Sequence, residues 1–199
     1  GRGRMGRVWQ SQPGDSLTFS LSLPIAPKDW SGLSLAVGVS LAESLHPQVG
    51  LKWPNDLWVQ ARKLGGILVE AASMGGLSQV VVGVGLNIRP RPADGLNTPP
   101  AALTEWRPGI TAAQTLGLVA APLIQTLLSF EATGFAPLQA RFEARDVLKG
   151  HRVHTSDGAQ GLALGVSPSG ALRLQTDSGV LDIHSSEVSV RPFPAEDKR

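Results

Sequence analysis

The chain of 199 residues contains no cysteine. It therefore carries neither a disulfide framework nor a thiolate metal site, which fits a reducing cytoplasm. It also lacks an unbroken apolar run of the ~18–20 residues that a membrane-spanning helix needs, and no signal-peptide pattern opens it. No internal repeat is evident. The formal net charge is only +2, although the pI is 9.4, so no strong nucleic-acid-binding field covers the whole surface. What is present is 42% apolar residues, enough to bury the core of one domain with a small appendage.

The densest chemistry lies at 52–70, Lys-Trp-Pro-Asn-Asp-Leu-Trp-Val-Gln-Ala-Arg-Lys-Leu-Gly-Gly-Ile-Leu-Val-Glu. Pro54 fixes its own φ and pushes Trp53 toward an extended conformation, so Asn55 and Asp56 are expected at a rigid bend. Their oxygens suit a ribose, a phosphate or Mg²⁺. Lys52, Arg62 and Lys63 add three cations. Lys63 precedes Gly65-Gly66, where the missing Cβ lets a ligand come close to the backbone. The bland reading is a hairpin turn with solvated charges, which is common for such residues. The closeness of the two groups within one hairpin argues for an anion site.

The chain opens Gly1-Arg2-Gly3-Arg4-Met5-Gly6-Arg7-Val8-Trp9. Arginines between glycines make a loop whose guanidiniums can fold over a carboxylate or phosphate, and an RNA-binding Arg-Gly tail would look alike. Leu17, Phe19, Leu21 and Leu23 then alternate as in a half-buried strand, which argues that the loop leads into core rather than trailing free. At 80–88, Val-Val-Val-Gly-Val-Gly-Leu-Asn-Ile is a strand-length apolar run with Asn87 as its one polar side chain. It lacks the third glycine, helix start and acidic residue of a dinucleotide fingerprint, so a Rossmann reading is rejected.

Taken in order, the GRGRxGRxW loop, the KWPND hairpin with its RKLGGILVE continuation and the VGVGLNI strand resemble the catalytic domain of biotin protein ligases, also called biotin–[acetyl-CoA-carboxylase] ligases. The resemblance implies ATP-dependent activation of biotin as biotinyl-5'-AMP and transfer to a lysine of a biotin carboxyl carrier protein. It implies a class II synthetase-like α+β fold, a mainly antiparallel sheet with helices, spanning 1–147, and an SH3-like β-barrel over 148–199. It places Arg2, Gly3 and Arg4 in a loop over biotin and the adenylate. Lys63 would hold the biotin carboxylate and the α-phosphate, with Lys63 and Arg4 catalytic, and Gly66 would bond biotin. Lys52, Asn55, Asp56, Asn87 and Arg191 would meet ATP or the adenylate, and Asp56 would be the candidate Mg²⁺ ligand. A homodimer is one assembly it allows.

Family members carry, before the arginine loop, a Ser-Thr-Asn type strand, a helix and a glutamine that complete the biotin pocket, and bifunctional ones add a winged-helix DNA-binding domain. This chain shows none of these and opens on Gly1, so it reads as a fragment or a shortened protein. A non-catalytic biotin or adenylate binder stays open beside the ligase, as does a relative of the lipoate or octanoate transferases, which share the fold.

The remaining elements are read from periodicity. Residues 29–46 should form an amphipathic helix capped by Asp29, with strands at 49–53, 56–60, 65–72 and 79–88. Residues 89–110, with five prolines, read as an irregular loop in which Trp106 serves the core or the nucleotide site. Helices are expected at 111–131, bent or broken at Pro122, and at 135–146, with Arg141, Glu143, Arg145 and Asp146 on a solvated face. From about 148, short alternating runs between Gly-containing turns predict consecutive hairpins, and the histidines at 151, 154 and 184 have no metal-ligand company.

Overall fold

Strict alternation of apolar with Ser and Thr side chains makes 16–23 a strand with one wet and one dry face. It is β1 (Ser16–Leu23) of the computed structural model, which describes residues 1–6, 9, 12–74, 77–93, 95–96, 98–184 and 190–192. Arg7 and Val8 of the arginine loop and Val188 of the last alternating run lie outside those residues. β2 (Gly50–Lys52), β3 (Asp56–Val59), β4 (Arg62–Met74) and β5 (Leu77–Asn87) follow as an antiparallel meander, and β1 pairs with β5 at its far side. Register sends Leu17, Leu57, Ile67, Val82, Val84 and Leu86 to one face, all buried.

β4 starts three residues earlier than its apolar pattern suggests. The reversal falls on Gln60 and Ala61, both with positive φ (49° and 59°). Such a two-residue hairpin turn is normally written with Gly, Asn or Asp, so its usual sequence mark is missing here.

Helix α1 (Leu33–Leu45) also differs from expectation. Asp29 does not cap it. Its carboxylate accepts from the Ser31 N–H at 2.8 Å, shaping a turn before the helix, and the cap position is Gly32 at φ 78°. Nor is α1 one-sided: Leu35, Ala36, Val37, Val39, Leu41 and Ala42 are all buried, because α2 (Ala112–Thr133) covers the side turned away from the sheet. α2 begins at a reciprocal cap in which the Gln114 N–H donates to Thr111 Oγ1 and the Thr111 N–H to Gln114 Oε1. It runs unbroken past Pro122. By length and composition it is apolar enough to cross a membrane, but Val119, Leu123, Leu127 and Phe130 are buried against the rest of the protein. Leu116 and Leu128, at helical spacing from these residues, are 36% and 52% exposed, so the buried stripe is narrower than the apolar one.

The helix expected at 135–146 is shorter. A 3₁₀ turn at Ala136–Leu138 leads into α3 (Gln139–Glu143). Its charged flank is exposed at Arg141, as expected, but it is paired, and only the Asp146 carboxylate is taken out of solvent. Arg141 makes a bidentate pair with Glu43, Glu143 pairs with Lys149, and the Arg145 guanidinium donates to the Pro47 and Val49 carbonyls. These contacts tie the chain leaving α3 to α1 and the loop before β2.

Beyond it, β6 (Arg152–Thr155), β7 (Gln160–Val166), β8 (Leu172–Thr176), β9 (Gly179–Ile183) and β10 (Val190–Pro192) form a second antiparallel sheet in the order β10-β6-β7-β8-β9. The closure expected of a barrel is not among the described pairings, since β9 and β10 are the two edges. The two sheets are fastened by Trp53. Its side chain is fully buried, and its indole N–H donates to the Gly170 carbonyl in the β7–β8 turn at 3.0 Å. Gly170 is required there: at φ 82°, a Cβ would lie 2.7 Å from the Gly32 Cα.

Asp146 sits at this joint. One carboxylate oxygen accepts from the Leu148 N–H at 2.8 Å, while Oδ2 is buried without a partner. Burial pushes its carboxyl up to about 6, helped by the Glu143 charge, against the pull of the Leu148 and Lys149 amides and the Lys149 charge. Because the folded value lies above the unfolded one, the folded state holds the extra proton between them. The stability this gives is full below about pH 4 and is lost as pH rises through about 6, a difference on the order of 3 kcal/mol. Asp146→Asn should remove that dependence. Thermal melts at pH 4 and pH 8 are expected to show the variant gaining several degrees on the wild type at pH 8 and little at pH 4; equal gains at both would exclude this origin.

Candidate functional site

The face of the first sheet turned away from α1 carries one row of paired residues across all five strands: Lys52, Asp56, Gly66, Gly85 and Thr18. Two neighbouring positions of the row are glycine; Gly66 is open backbone beside the charged pair, while Gly85 lies under the Trp9 indole. Gly83 lies on the same face one step along, opposite Ser20 and Leu68. The Trp9 indole covers one end, with a Cβ on Gly85 falling 2.8 Å from its ring. That segment is fixed by reciprocal bonds between Gly1 and Trp9, at 2.9 and 3.1 Å. The Arg91 guanidinium stacks 5.3 Å from the Trp9 ring centre.

Lys63 reaches this face through a β-bulge. In a regular strand it would share a face with Gly65 and Ile67, on the core side. The register shifts so that Leu57 pairs with Gly65 but Trp58 pairs with Lys63, and Leu64 is the extra, fully buried residue. The shift turns Lys63 to the side of Asp56 and Gly66. Its ammonium donates to Asp56 Oδ1 at 2.6 Å, and a Cβ on Gly66 would stand 3.6 Å from the same nitrogen.

Asn55 is held like a piece of strand. Its carbonyl accepts from the Ile67 N–H at 2.9 Å and its side-chain amide donates to the Ile67 carbonyl at 2.8 Å. That leaves Oδ1 outward, where Arg4 donates to it over a long 3.4 Å. Arg4 is thus brought to the same hairpin as Lys63, while Arg2 is exposed and Gly3 half-buried beside it in sequence. Lys52 lies 5.1 Å from the Trp58 ring centre.

Two expected residues have other settings. Asn87 is 2% exposed, and its amide donates to the Lys63 carbonyl at 3.2 Å and the Ala101 carbonyl at 3.0 Å, so both of its donors serve main chain. Arg191 is exposed on β10, opposite His154 in the second sheet, and is not part of the row on the first. Asp56, the candidate magnesium ligand, stands in that row as a partly exposed carboxylate paired with Lys63. Among the described residues no three His, Cys, Asp or Glu side chains converge.

The segment read as an irregular loop contributes more than its composition indicated. Pro99–Ala101 runs beside Lys63: the Lys63 N–H donates to the Pro99 carbonyl and the Ala101 N–H to the Lys63 carbonyl, both at 2.9 Å. Glu105 accepts two bonds from Arg62, at 3.1 and 2.6 Å, and one from the Ala102 N–H at 2.8 Å. The Arg62 guanidinium beside it, more than the Ala102 amide, holds the Glu105 carboxyl below its usual range. Trp106 packs at the edge of the core with Arg62 5.7 Å from its ring centre. No periodicity marks such a strap, because its bonds are made by backbone.

Comparison with known proteins places the chain's sequence and fold. Residues 1–87 match the biotin/lipoate A/B protein ligase family and residues 152–191 match the biotin protein ligase C-terminal domain. The bifunctional ligase/repressor BirA of Escherichia coli is 35% identical over 205 residues, covering 96% of this chain and 63% of that protein. The chain therefore spans less than two thirds of that relative's length. The biotin–[acetyl-CoA-carboxylase] ligase of Paracoccus denitrificans is 29% identical, with 94% of this chain and 85% of that one covered. The biotin protein ligase of Aquifex aeolicus, solved with biotin and ATP, superposes with a TM-score of 0.83 at 29% identity, covering 96% of this chain and 84% of that one. With both of its segments matched in order and its fold shared along nearly its whole length, this chain belongs to the biotin protein ligase family.

Proposed function

We propose that this protein activates biotin with ATP and transfers it to a lysine of a biotin carboxyl carrier protein. The observation that carries the reading is the glycine floor, Gly66 and Gly85, with Lys63 and Arg4 brought to its charged end. The open backbone at Gly66, bordered by the Trp9 indole lying over Gly85, admits a flat ligand, and the cations suit two anions that must meet. The related Aquifex protein holds biotin and ATP, which supports the same ligands here.

In the first step a carboxylate oxygen of biotin attacks the α-phosphorus of ATP. The new P–O bond replaces the bond to pyrophosphate, which leaves with its charge. Little covalent work falls to the protein, so positioning and neutralisation by Lys63 and Arg4 supply most of the acceleration. Lys63 would exchange Asp56 for the incoming anions, and Asp56 would keep the ammonium aimed until then. In the second step the neutral amine of the carrier lysine attacks the mixed-anhydride carbonyl, the bond to AMP breaks, and the amine's proton is lost. Arg2, Gly3 and Arg4 would shield the adenylate from water. Lys52 and Asn55 lie where they can meet the nucleotide, whereas Asn87 acts through the Lys63 backbone. Arg191 would serve the nucleotide from the second domain, whose boundary we place at 147/148. Magnesium would enter with ATP, and Asp56 is the carboxylate that would help hold it beside the phosphates. Cytoplasmic residence accords with such a carrier.

The test is incubation of the protein with biotin, Mg-ATP and a carrier domain, with transfer scored as a biotinyl mass increment. Biotin-dependent modification is expected; binding of biotin without adenylate or transfer would favour the non-catalytic alternative instead.

A further inference from the structure

We infer that Glu105, acting through Arg62, is a positioning residue that sets where the Lys63 ammonium points; this rests on the ligase reading above. β5 ends at Asn87, one residue short of what would be needed to flank Lys63 in register. Past that point β4 loses its neighbour on this side just where its functional side chain stands. Three groups replace the missing strand. Pro99 and Ala101 supply one backbone acceptor and one donor to Lys63, and Asn87 continues its strand's ladder with its side chain, bridging the Lys63 and Ala101 carbonyls.

Those bonds place the strap but do not lock it, because a short segment flanked by prolines makes few of them. The lock is the next residue pair. Arg62 holds Glu105 through both carboxylate oxygens and touches the Pro100 carbonyl at 3.5 Å, while Glu105 simultaneously caps the following 3₁₀ turn (Leu103–Glu105) through the Ala102 N–H. Fork-to-fork pairing fixes distance and orientation together. Residues 62 and 63 are consecutive, so any drift of the strap rotates the bulged backbone from which the Lys63 side chain departs. Errors of about 1 Å in such a group cost on the order of 100-fold in rate.

The test compares wild type, Glu105→Ala, Glu105→Gln and Arg62→Ala in biotin-dependent ATP–pyrophosphate exchange, with melting temperatures alongside. Glu105→Ala is expected to lower kcat about 10- to 100-fold while KM for biotin and for ATP moves less than about 3-fold, the signature of a transition-state interaction. Arg62→Ala should reproduce that split. Glu105→Gln, whose one oxygen can still accept from the Ala102 N–H and one Arg62 N–H but which loses the second arm of the fork, should recover part of kcat. A Glu105→Ala enzyme with normal kcat, or one whose loss only tracks a lowered melting temperature and is not rescued by Gln, overturns the assignment. Absence of exchange in the wild type would overturn the ligase reading and this one together; an active wild type with a kinetically normal Glu105→Ala overturns this one alone.

Discussion

Lys63→Ala is expected to lower biotin-dependent pyrophosphate exchange by at least 10²–10³-fold, the cost of removing one preorganised donor from a developing charge. The fold should survive. The Lys63 side chain is 33% exposed and its partner Asp56 17%, and pairs of that exposure contribute about 0–1 kcal/mol. Melting within a few degrees of wild type is therefore expected beside the kinetic loss. Lys63→Arg should not restore the rate, because a planar fork cannot take the place of a compact ammonium between Asp56 and the Gly66 floor. A Lys63→Ala enzyme that releases pyrophosphate normally would leave the bulge at Leu64 without a functional reason.

Trp53→Ala is expected to have the largest effect on stability, about 3–5 kcal/mol, the usual cost of emptying a fully buried aromatic site. For a chain of this size, that corresponds to a fall in melting temperature of roughly 6–20 °C. Trp53 belongs to the same five-residue motif as Asn55 and Asp56, yet its side chain turns the opposite way, into the contact between the two sheets. Trp53→Phe should lie between, since it keeps most of the apolar volume but leaves the Gly170 carbonyl without its donor, at about 1–3 kcal/mol. Thermal melts of the three proteins check both values. If Trp53→Ala melted within about 2 °C of wild type, the indole would not be the fastening between catalytic and C-terminal parts.

The two variants together separate the jobs written into one short motif. Lys63 and Asp56 should alter chemistry at nearly constant stability, and Trp53 should alter stability first, with activity following only as the second sheet loosens. Asp146 sits on the same joint, so its Asn variant should change the pH dependence of melting and not the exchange kinetics at a temperature where both proteins are folded.

Much of the fold was legible because burial leaves a periodic trace. The alternation in 16–23, the apolar run at 80–88 and the short hairpin runs after 148 are each dictated by which face meets the core. The site residues at 2–4, 52–66 and 87 stood out by type and order, since cations, glycines and an Asn-Asp pair are rarely so dense in an apolar background. Local chemistry permits Asp29 to cap a helix, but its carboxylate is taken by the Ser31 N–H two residues on, in a turn before α1. That Arg141 and Arg145 find partners at Glu43, Pro47 and Val49 is set by contacts nearly a hundred residues away, which no local pattern marks.

The sequence by itself determined the inventory: which side chains can neutralise an anion, which positions can approach one without a Cβ, and which segments must be buried. Tertiary structure alone decided on which side of the sheet Lys63 emerges. An uninterrupted alternation would have sent it into the core with Gly65 and Ile67, and one extra buried residue, Leu64, accommodated by the register shift against Trp58, brings it out beside Asp56 and Gly66. A bulge is a property of two paired strands and of the strap that borders them, so no single segment carries its mark.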